Sequence, residues 1–498
     1  MNRRNFLGAA AASAAFRAPA SQAATRKPNI VIILADDFGY GSLNCNGADP
    51  KLIRTPNLDR IAKEGVRFTD ANTPSSVCSP SRYGLLTGRY CWRTSLQYEV
   101  LPTNAPLHIE TTRLTIPSLL KGEGYSTAAI GKWHLGYGTA KTDFTRELKP
   151  GPLEVGFDYH FGVPQNHGDA SGIYVENHWV AGLRSDKHKD AGLSPYGRPF
   201  MGIDAPQRVD DEVMDVLTDH AVDWIGKQNL QKPFFLYFTP VAVHDPVTPS
   251  KRARGSSAAG PYGDWIHDLD YSIGRVLKAL DDHNFTQDTL FIFTSDNGGV
   301  LQTEGDRAQA VAYRAGLHVN GNWRGGKHGI YQGGFRVPFL VRWPGRVPAQ
   351  TVSDQVICLT DLVATFAGLL QVPLPKGNAE DSFDVMRAFT EEKPGPPVRD
   401  HVILQSASAI YDLRQGDWKF IERADAPTFT SVRNPKKAEA AERRKARAGQ
   451  QPDELYNLKT DPAETRNIIA ANAGQAAKLK KLLVEASDRG YTRPGAGD

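Results

Sequence analysis

The chain has 498 residues, with 59 Lys and Arg against 55 Asp and Glu, a formal net charge of +4. This near-neutral balance speaks against a general nucleic-acid binder, and 40% hydrophobic with 23% charged residues is a globular rather than a disordered composition. Four cysteines at this length do not make a disulfide scaffold, and the chain is long enough for one large α/β domain with an appendage.

The N-terminus comes first. Met1-Asn2-Arg3-Arg4 is followed by Phe6-Leu7-Gly8, an Ala-rich run to Phe16, and the small residues of Ser21-Gln22-Ala23. Paired arginines, a short apolar run and a small-residue cleavage site have the form of a twin-arginine signal peptide over 1–23; the bland alternative is a basic tail. The apolar stretch Asn5–Phe16 has 12 residues. A bilayer span needs roughly 20, so no membrane span is expected. Cleavage after Ala23 removes Arg3, Arg4 and Arg17 and leaves a net charge of +1. The twin-arginine export machinery moves folded proteins, so a periplasmic or secreted protein that folds in a reducing compartment is expected. Cys45, Cys91 and Cys358 then read as small buried hydrophobes, with a Cys45–Cys91 bridge left open.

Asn29–Ala35 is a continuous apolar, β-branched run, which fits a strand buried on both faces of a parallel sheet. Thr55-Pro56 predicts a helix start, with Thr55 as cap and Gly65 as stop. Val66 to Phe68 predicts a short strand, 116–122 a helix and 125–130 a strand. Helices are expected over 210–227 and 264–282, strands over 234–238 and 290–294. Alternating strands and helices predict an α/β sheet, mostly parallel, sandwiched by helices. Beyond Pro375 short strands at 402–404, 410–414 and 418–421 predict a small antiparallel sheet, closed by a helix over 475–486. The expected division is a catalytic domain, 24–376, and a small α+β subdomain, 377–498. Within the latter, 424–453 is rich in Pro, Ala and charge and reads as an insertion. Its basic run is a candidate patch for an anionic polymer, with a solvated surface the favoured reading.

The chemistry gathers at strand ends. The first strand runs into Asp36-Asp37, and the strand over 290–294 runs into Ser295-Asp296-Asn297-Gly298. Three carboxylates and one amide oxygen suit Ca²⁺ or Mg²⁺. A turn-forming role is the ordinary reading of either pair alone. Between them lies Cys78-Ser79-Pro80-Ser81-Arg82, where Pro80 suits a helix first turn and puts Cys78 at a helix N-terminus, a place that favours anions.

Cys-x-Pro-Ser-Arg-x-x-x-Leu-Thr-Gly-Arg, from Cys78 to Arg89, resembles the signature of type I sulfatases in the alkaline phosphatase superfamily. The resemblance extends from Pro28 to about Asn467. It includes Gly131-Lys132-Trp133-His134-Leu135-Gly136, Ser295-Asp296-Asn297-Gly298, Gly325-Gly326-Lys327, Gly333-Gly334-Phe335-Arg336-Val337-Pro338 and Asp461-Pro462-Ala463-Glu464. The spacing of these motifs looks most similar to the arylsulfatase A and N-acetylgalactosamine-6-sulfatase branch and its bacterial relatives. The resemblance implies an alkaline phosphatase-like fold and a sulfuric ester hydrolase. Cys78 would be oxidised to formylglycine by a formylglycine-generating or sulfatase-maturating enzyme. Asp36, Asp37, Asp296, Asn297 and the modified residue 78 would hold one cation, Ca²⁺ or Mg²⁺. Arg82 would hold the aldehyde hydrate. Lys132 and Lys327 would grip the sulfate oxygens, His134 would touch the second hydroxyl, and His244 would face the leaving group.

Phe161-Gly162-Val163-Pro164 reads as a turn, and Asn166 stands where relatives often carry a sulfate-contacting Ser; an amide still donates a hydrogen bond. The expected substrate is a sulfated carbohydrate, with Tyr174, Asn177, His178, Trp179 and Trp323 as candidates for the pocket rim. The alternatives are a phosphodiesterase or phosphonate monoester hydrolase on the same scaffold, and a non-catalytic binder of sulfated glycans.

Overall fold

The structure is a computed structural model that describes residues 26–393, 395–423 and 452–497. The signal segment expected at 1–23 and positions 424–451 of the expected insertion lie outside the described residues.

Strand β1 (Asn29–Ala35) is buried along its whole length. Side chains alternate across a strand. Ile30, Ile32 and Leu34 therefore join the core on one face, and Val31, Ile33 and Ala35 join the core on the other. The continuous apolar run thus serves two cores at once. The large sheet contains β1, β2 (Val66–Phe68), β4 (Ser126–Lys132), β5 (Tyr159–Val163), β6 (Val175–Glu176), β7 (Trp179–Val180), β8 (Phe234–Thr239), β9 (Thr289–Ser295), β10 (Phe339–Arg342) and β11 (Thr351–Ser353). A separate pair is formed by β3 (Ala71–Asn72) and β12 (Ile357–Cys358). The large-sheet order is β11-β2-β10-β9-β1-β8-β4-β5-β6-β7. The central block β9-β1-β8-β4-β5 is parallel, and antiparallel neighbours flank it.

Helices α1 (Pro56–Lys63), α4 (Val213–Gly226) and α5 (Pro261–Asp282) cover one face. Helices α2 (Cys78–Thr87) and α3 (Ile116–Gly122) cover the other. The start of α1 falls at Pro56 as expected, yet Thr55 makes no side-chain cap bond. Its hydroxyl instead accepts the Asn44 N–H at 3.0 Å. Gly65 follows the helix for a steric reason: a Cβ there would meet the Val341 carbonyl oxygen at 1.9 Å. Phe161-Gly162-Val163 belongs to β5 rather than to a turn. All four cysteines are free, Cys78, Cys91 and Cys358 buried and Cys45 half-buried.

The small sheet is antiparallel, in the order β13 (Val402–Gln405), β14 (Tyr411–Gln415), β15 (Trp418–Glu422), β16 (Glu454–Asn457). Helix α6 (Ala473–Arg489) packs Leu479 and Leu483 against Ile403, Leu413, Phe420 and Leu455 on one face. The other face, with Val402, Leu404, Ile421 and Tyr456, lies on Ile330 and Phe335. Ala379, Val385 and Phe389, which follow the expected boundary, still pack in the large core.

Candidate active site

Five adjacent parallel strands end on one edge of the large sheet, where open α/β sheets hold their ligands. Asp36 and Asp37 follow β1, Lys132 closes β4, Asn166 lies beyond β5, His244 beyond β8, and Asp296 and Asn297 follow β9. Cys78 is the first residue of α2, and Lys327 comes from the loop before β10. Asp37 and His134 have φ of 58° and 56°. This left-handed conformation is uncommon for residues other than glycine and turns the chain sharply at the strand exits.

The side chains interlock. Asp36 Oδ2 accepts from Lys132 Nζ at 2.7 Å, and its Oδ1 lies 3.7 Å from Cys78 Sγ. Arg82 donates through Nε and Nη2 to Asp296 Oδ2 at 3.0 and 2.7 Å, and through Nη1 to the Lys132 carbonyl at 2.8 Å. Asp37 accepts from Lys327 Nζ at 2.8 Å and from Asn297 Nδ2 at 2.8 Å. Lys327 Nζ is 3.5 Å from Cys78 Sγ, and His244 Nε2 is 3.8 Å from Asp37 Oδ2. The side chains of Asp36, Arg82, Lys132 and Asp296 have no exposed surface. Three cations and three carboxylates balance, as buried charges must.

Burial shapes the protonation states. It pushes Cys78 up to about 12, helped by Asp296, so this residue is no ordinary low-pKa nucleophilic thiol. Burial alone would raise Asp37, but Lys327, His244 and Lys132 outweigh it and hold the carboxyl well below its usual range. Burial raises Asp296, with Asp36 adding to it. Burial and then Lys327 lower His244 to about 3.

The donor set fits a hard cation. Asn297 Oδ1 is buried with no hydrogen-bond partner, an acceptor waiting for something other than an N–H. Ligand atoms of Asp36, Asp37, Cys78 and His244 lie within 4.8 Å of one another. Asp296 stands apart from that group: Oδ2 is held by Arg82 and Oδ1 accepts the Asp37 N–H at 3.2 Å. His244, expected on the leaving-group side, thus also borders the candidate cation site.

His134 Nε2 lies 3.0 Å from the Leu101 carbonyl, and Nδ1 is buried without a partner. A carbonyl only accepts, so Nε2 carries the hydrogen and Nδ1 keeps its lone pair. The same carbonyl accepts from Gln165 Nε2 at 3.1 Å, and the Leu101 N–H donates to Ser79 Oγ, beside Cys78, at 3.1 Å. Sequence reading missed Leu101 and Gln165; a loop carbonyl leaves no residue-type signal. Asn166 is buried, and its Oδ1 accepts the Gly168 N–H, leaving Nδ2 as the end able to donate. Of the expected rim residues, Trp179 is 50% exposed. Tyr174 stacks on Phe161, Asn177 Oδ1 accepts the His160 N–H, His178 binds Glu154, and the Arg336 guanidinium covers Trp323.

The family model described as Sulfatase matches residues 28–372. An N-acetylgalactosamine-6-O-sulfatase of Bacteroides thetaiotaomicron is 34% identical over 502 residues, covering 93% of this chain and 94% of that protein. Human arylsulfatase A is 31% identical, covering 95% of this chain and 90% of that protein. A solved structure from work on glycosaminoglycan metabolism by B. thetaiotaomicron superposes with a TM-score of 0.82 at 33% identity, covering 93% of this chain and all of that one.

Proposed function

The chain belongs to the sulfatase family, and from that premise we propose that it is an exported, formylglycine-dependent enzyme that removes sulfate from a sulfated carbohydrate. The observation that carries this reading is the convergence of Cys78, Lys132, Lys327 and Arg82 on three carboxylates beside the unpartnered Asn297 Oδ1. Asp36, Asp37, Asp296, Asn297 and residue 78 would hold a Ca²⁺ or Mg²⁺ ion, with His244 at its border. When bound, the cation polarises oxygens around it, and the hydrate of formylglycine supplies the nucleophilic hydroxyl.

The remaining work falls to the chain's own residues. Lys132 and Lys327 now neutralise Asp36 and Asp37. With a divalent cation held at those carboxylates, Lys132 and Lys327 would be free to turn their ammonium groups toward the sulfate oxygens. The balanced cluster then carries an excess of two positive charges, suited to a sulfate group. His244, lowered to about 3, is neutral at physiological pH. It orients, and Lys327 is the donor to the leaving oxygen. His134 Nδ1, with its lone pair available, takes the proton of the second hydroxyl when sulfate departs. Asn166 Nδ2 is an additional donor to sulfate.

A carbohydrate substrate is supported by the relative named N-acetylgalactosamine-6-O-sulfatase. Export is supported by the paired arginines at 3 and 4. No helix among the described residues is long and apolar enough to cross a membrane. Cys78 is 2% exposed, so the maturation enzyme would act before folding, ahead of export. Mass spectrometry of the residue-78 peptide, with turnover of matched aryl sulfate and aryl phosphodiester substrates, tests the proposal. An aldehyde at residue 78 and preference for the sulfate ester are expected. An intact thiol in fully active protein, or preference for the diester, overturns it.

A further inference from the structure

The loop that presents Lys327 is held from its far side by the small sheet. Lys419 of β15 lies 2.7 Å from Glu464 Oε1 and 3.2 Å from Asp412 Oδ2 of β14, and all three side chains are without exposed surface. Lys419 Nζ also donates to the Ile330 carbonyl at 2.8 Å. Glu464 Oε2 accepts the Gln332 N–H at 2.7 Å. The two partners of one buried ion pair therefore grip a carbonyl and an N–H two residues apart on the same loop. The backbone of Glu464 adds a third tie, accepting from Arg324 Nη1 at 2.6 Å, and the Arg324 guanidinium lies 3.6 Å from the Tyr331 ring centre.

Between that grip and Lys327 the loop has little slack. The Gly333 N–H donates to the Arg324 carbonyl at 2.8 Å, the Gly329 N–H to Gly326 at 3.0 Å, and the Lys327 N–H to Gly299 at 3.1 Å. A Cβ on Gly333 would meet the Gly325 carbonyl oxygen at 2.3 Å, and one on Gly326 would meet that of Gly299 at 2.5 Å. Displacement at Ile330–Gln332 passes to Lys327 because strands of backbone this close move together. A buried ion pair contributes little net stability compared with apolar packing, and its better-attested use is to fix a register. Charge-assisted bonds to backbone groups do this well, being short and directional.

We propose that the Lys419–Glu464 pair is a positioning device that sets the reach of Lys327 toward residue 78 and the bound sulfate. This rests on the sulfatase reading of Lys327 and extends it to two residues that touch no substrate. The test is a double-mutant cycle joining Lys419→Met with Lys327→Ala. Formylglycine content and thermal midpoint are monitored throughout, with kcat and KM on an aryl sulfate and, independently of turnover, the Kd of inorganic sulfate. Lys419→Met alone is expected to lower kcat/KM on the order of 10- to 100-fold, as for a reacting group displaced by about 1 Å, and to weaken sulfate binding. In the Lys327→Ala background it should cost less than about 2-fold, because the group it positions is gone. Equal losses in both backgrounds overturn the proposal and leave the pair as a structural tie. Glu464→Gln, which keeps side-chain volume, runs through the same cycle, so that one variant reports where the other does not fold. A fully active Lys327→Ala enzyme would instead fail the sulfatase assignment of Lys327 itself.

Discussion

His134 reaches the site with one nitrogen already committed to the Leu101 carbonyl. Burial, then Lys132 and Arg82, hold its pKa well below the ordinary histidine value. A base with a depressed pKa stays unprotonated, and therefore functional, until the pH falls through that lower value. The acid limb of kcat, which includes the departure of sulfate, should accordingly lie below the usual histidine value near 6.5. A pH–rate profile with its midpoint at or above 6.5 would remove His134 from the role of base. At this scale the makeup of the candidate site was largely legible in the sequence. Asp36, Asp37, Asp296 and Lys132 stand at the ends of apolar runs, where their residue types have few structural uses. Leu101 and Gln165 were not legible, because a backbone carbonyl and a lone loop amide acquire meaning only from what they face.

Gly298 shows how two loops are built as one element. Its N–H donates to the Gly334 carbonyl at 2.9 Å, and a Cβ on it would meet the Gly333 carbonyl oxygen at 1.9 Å. The loop carrying Asp296 and Asn297 thus lies flush against the loop carrying Lys327. Gly298→Ala must force them apart, at about 1–3 kcal/mol, the range for overpacking. Cation affinity and sulfate affinity should both fall; a variant that loses neither would show that the close approach is dispensable. Close approach also explains the strand that sequence reading lost. A Cβ at Gly162 would sit 1.7 Å from the Gly131 carbonyl oxygen, so β5 must carry glycine beside β4. Glycine and His160 weaken the strand pattern there, and a tertiary demand looked like a turn. The central strands, by contrast, announced themselves by runs that feed two cores.

Across the whole molecule, the two sheets are less separate than the change of sequence texture near residue 376 suggested. The small sheet spends one face on α6 and the other on Ile330 and Phe335. Gln405 at the end of β13 also accepts the Ser76 N–H at 3.1 Å, two residues before Cys78. Alternation of short strands made the sheet predictable. Its docking partner was not, since contacts between residues far apart in the chain leave no local periodicity. Deletion of residues 399–498 should therefore give no soluble, folded protein rather than a weakened catalytic domain, as solubility and circular dichroism would report. A folded truncated chain would show that the large layer does not need that cover.

The pairing of Lys132 with Asp36 and of Lys327 with Asp37 has one more consequence. On the proposed reading, each carboxylate would choose between its ammonium and a metal, and each ammonium between its carboxylate and a sulfate. Cation and anion would then help each other to bind, and by thermodynamic reciprocity each would strengthen the other by the same factor. Calorimetric titration of Ca²⁺ with and without saturating inorganic sulfate should reveal a coupling of about 1–3 kcal/mol, matched by the converse titration. Independent affinities would mean that the lysines never leave their carboxylates. With the coupling, a protein of almost no net charge holds a cluster of ion pairs in which either partner prepares the place of the other.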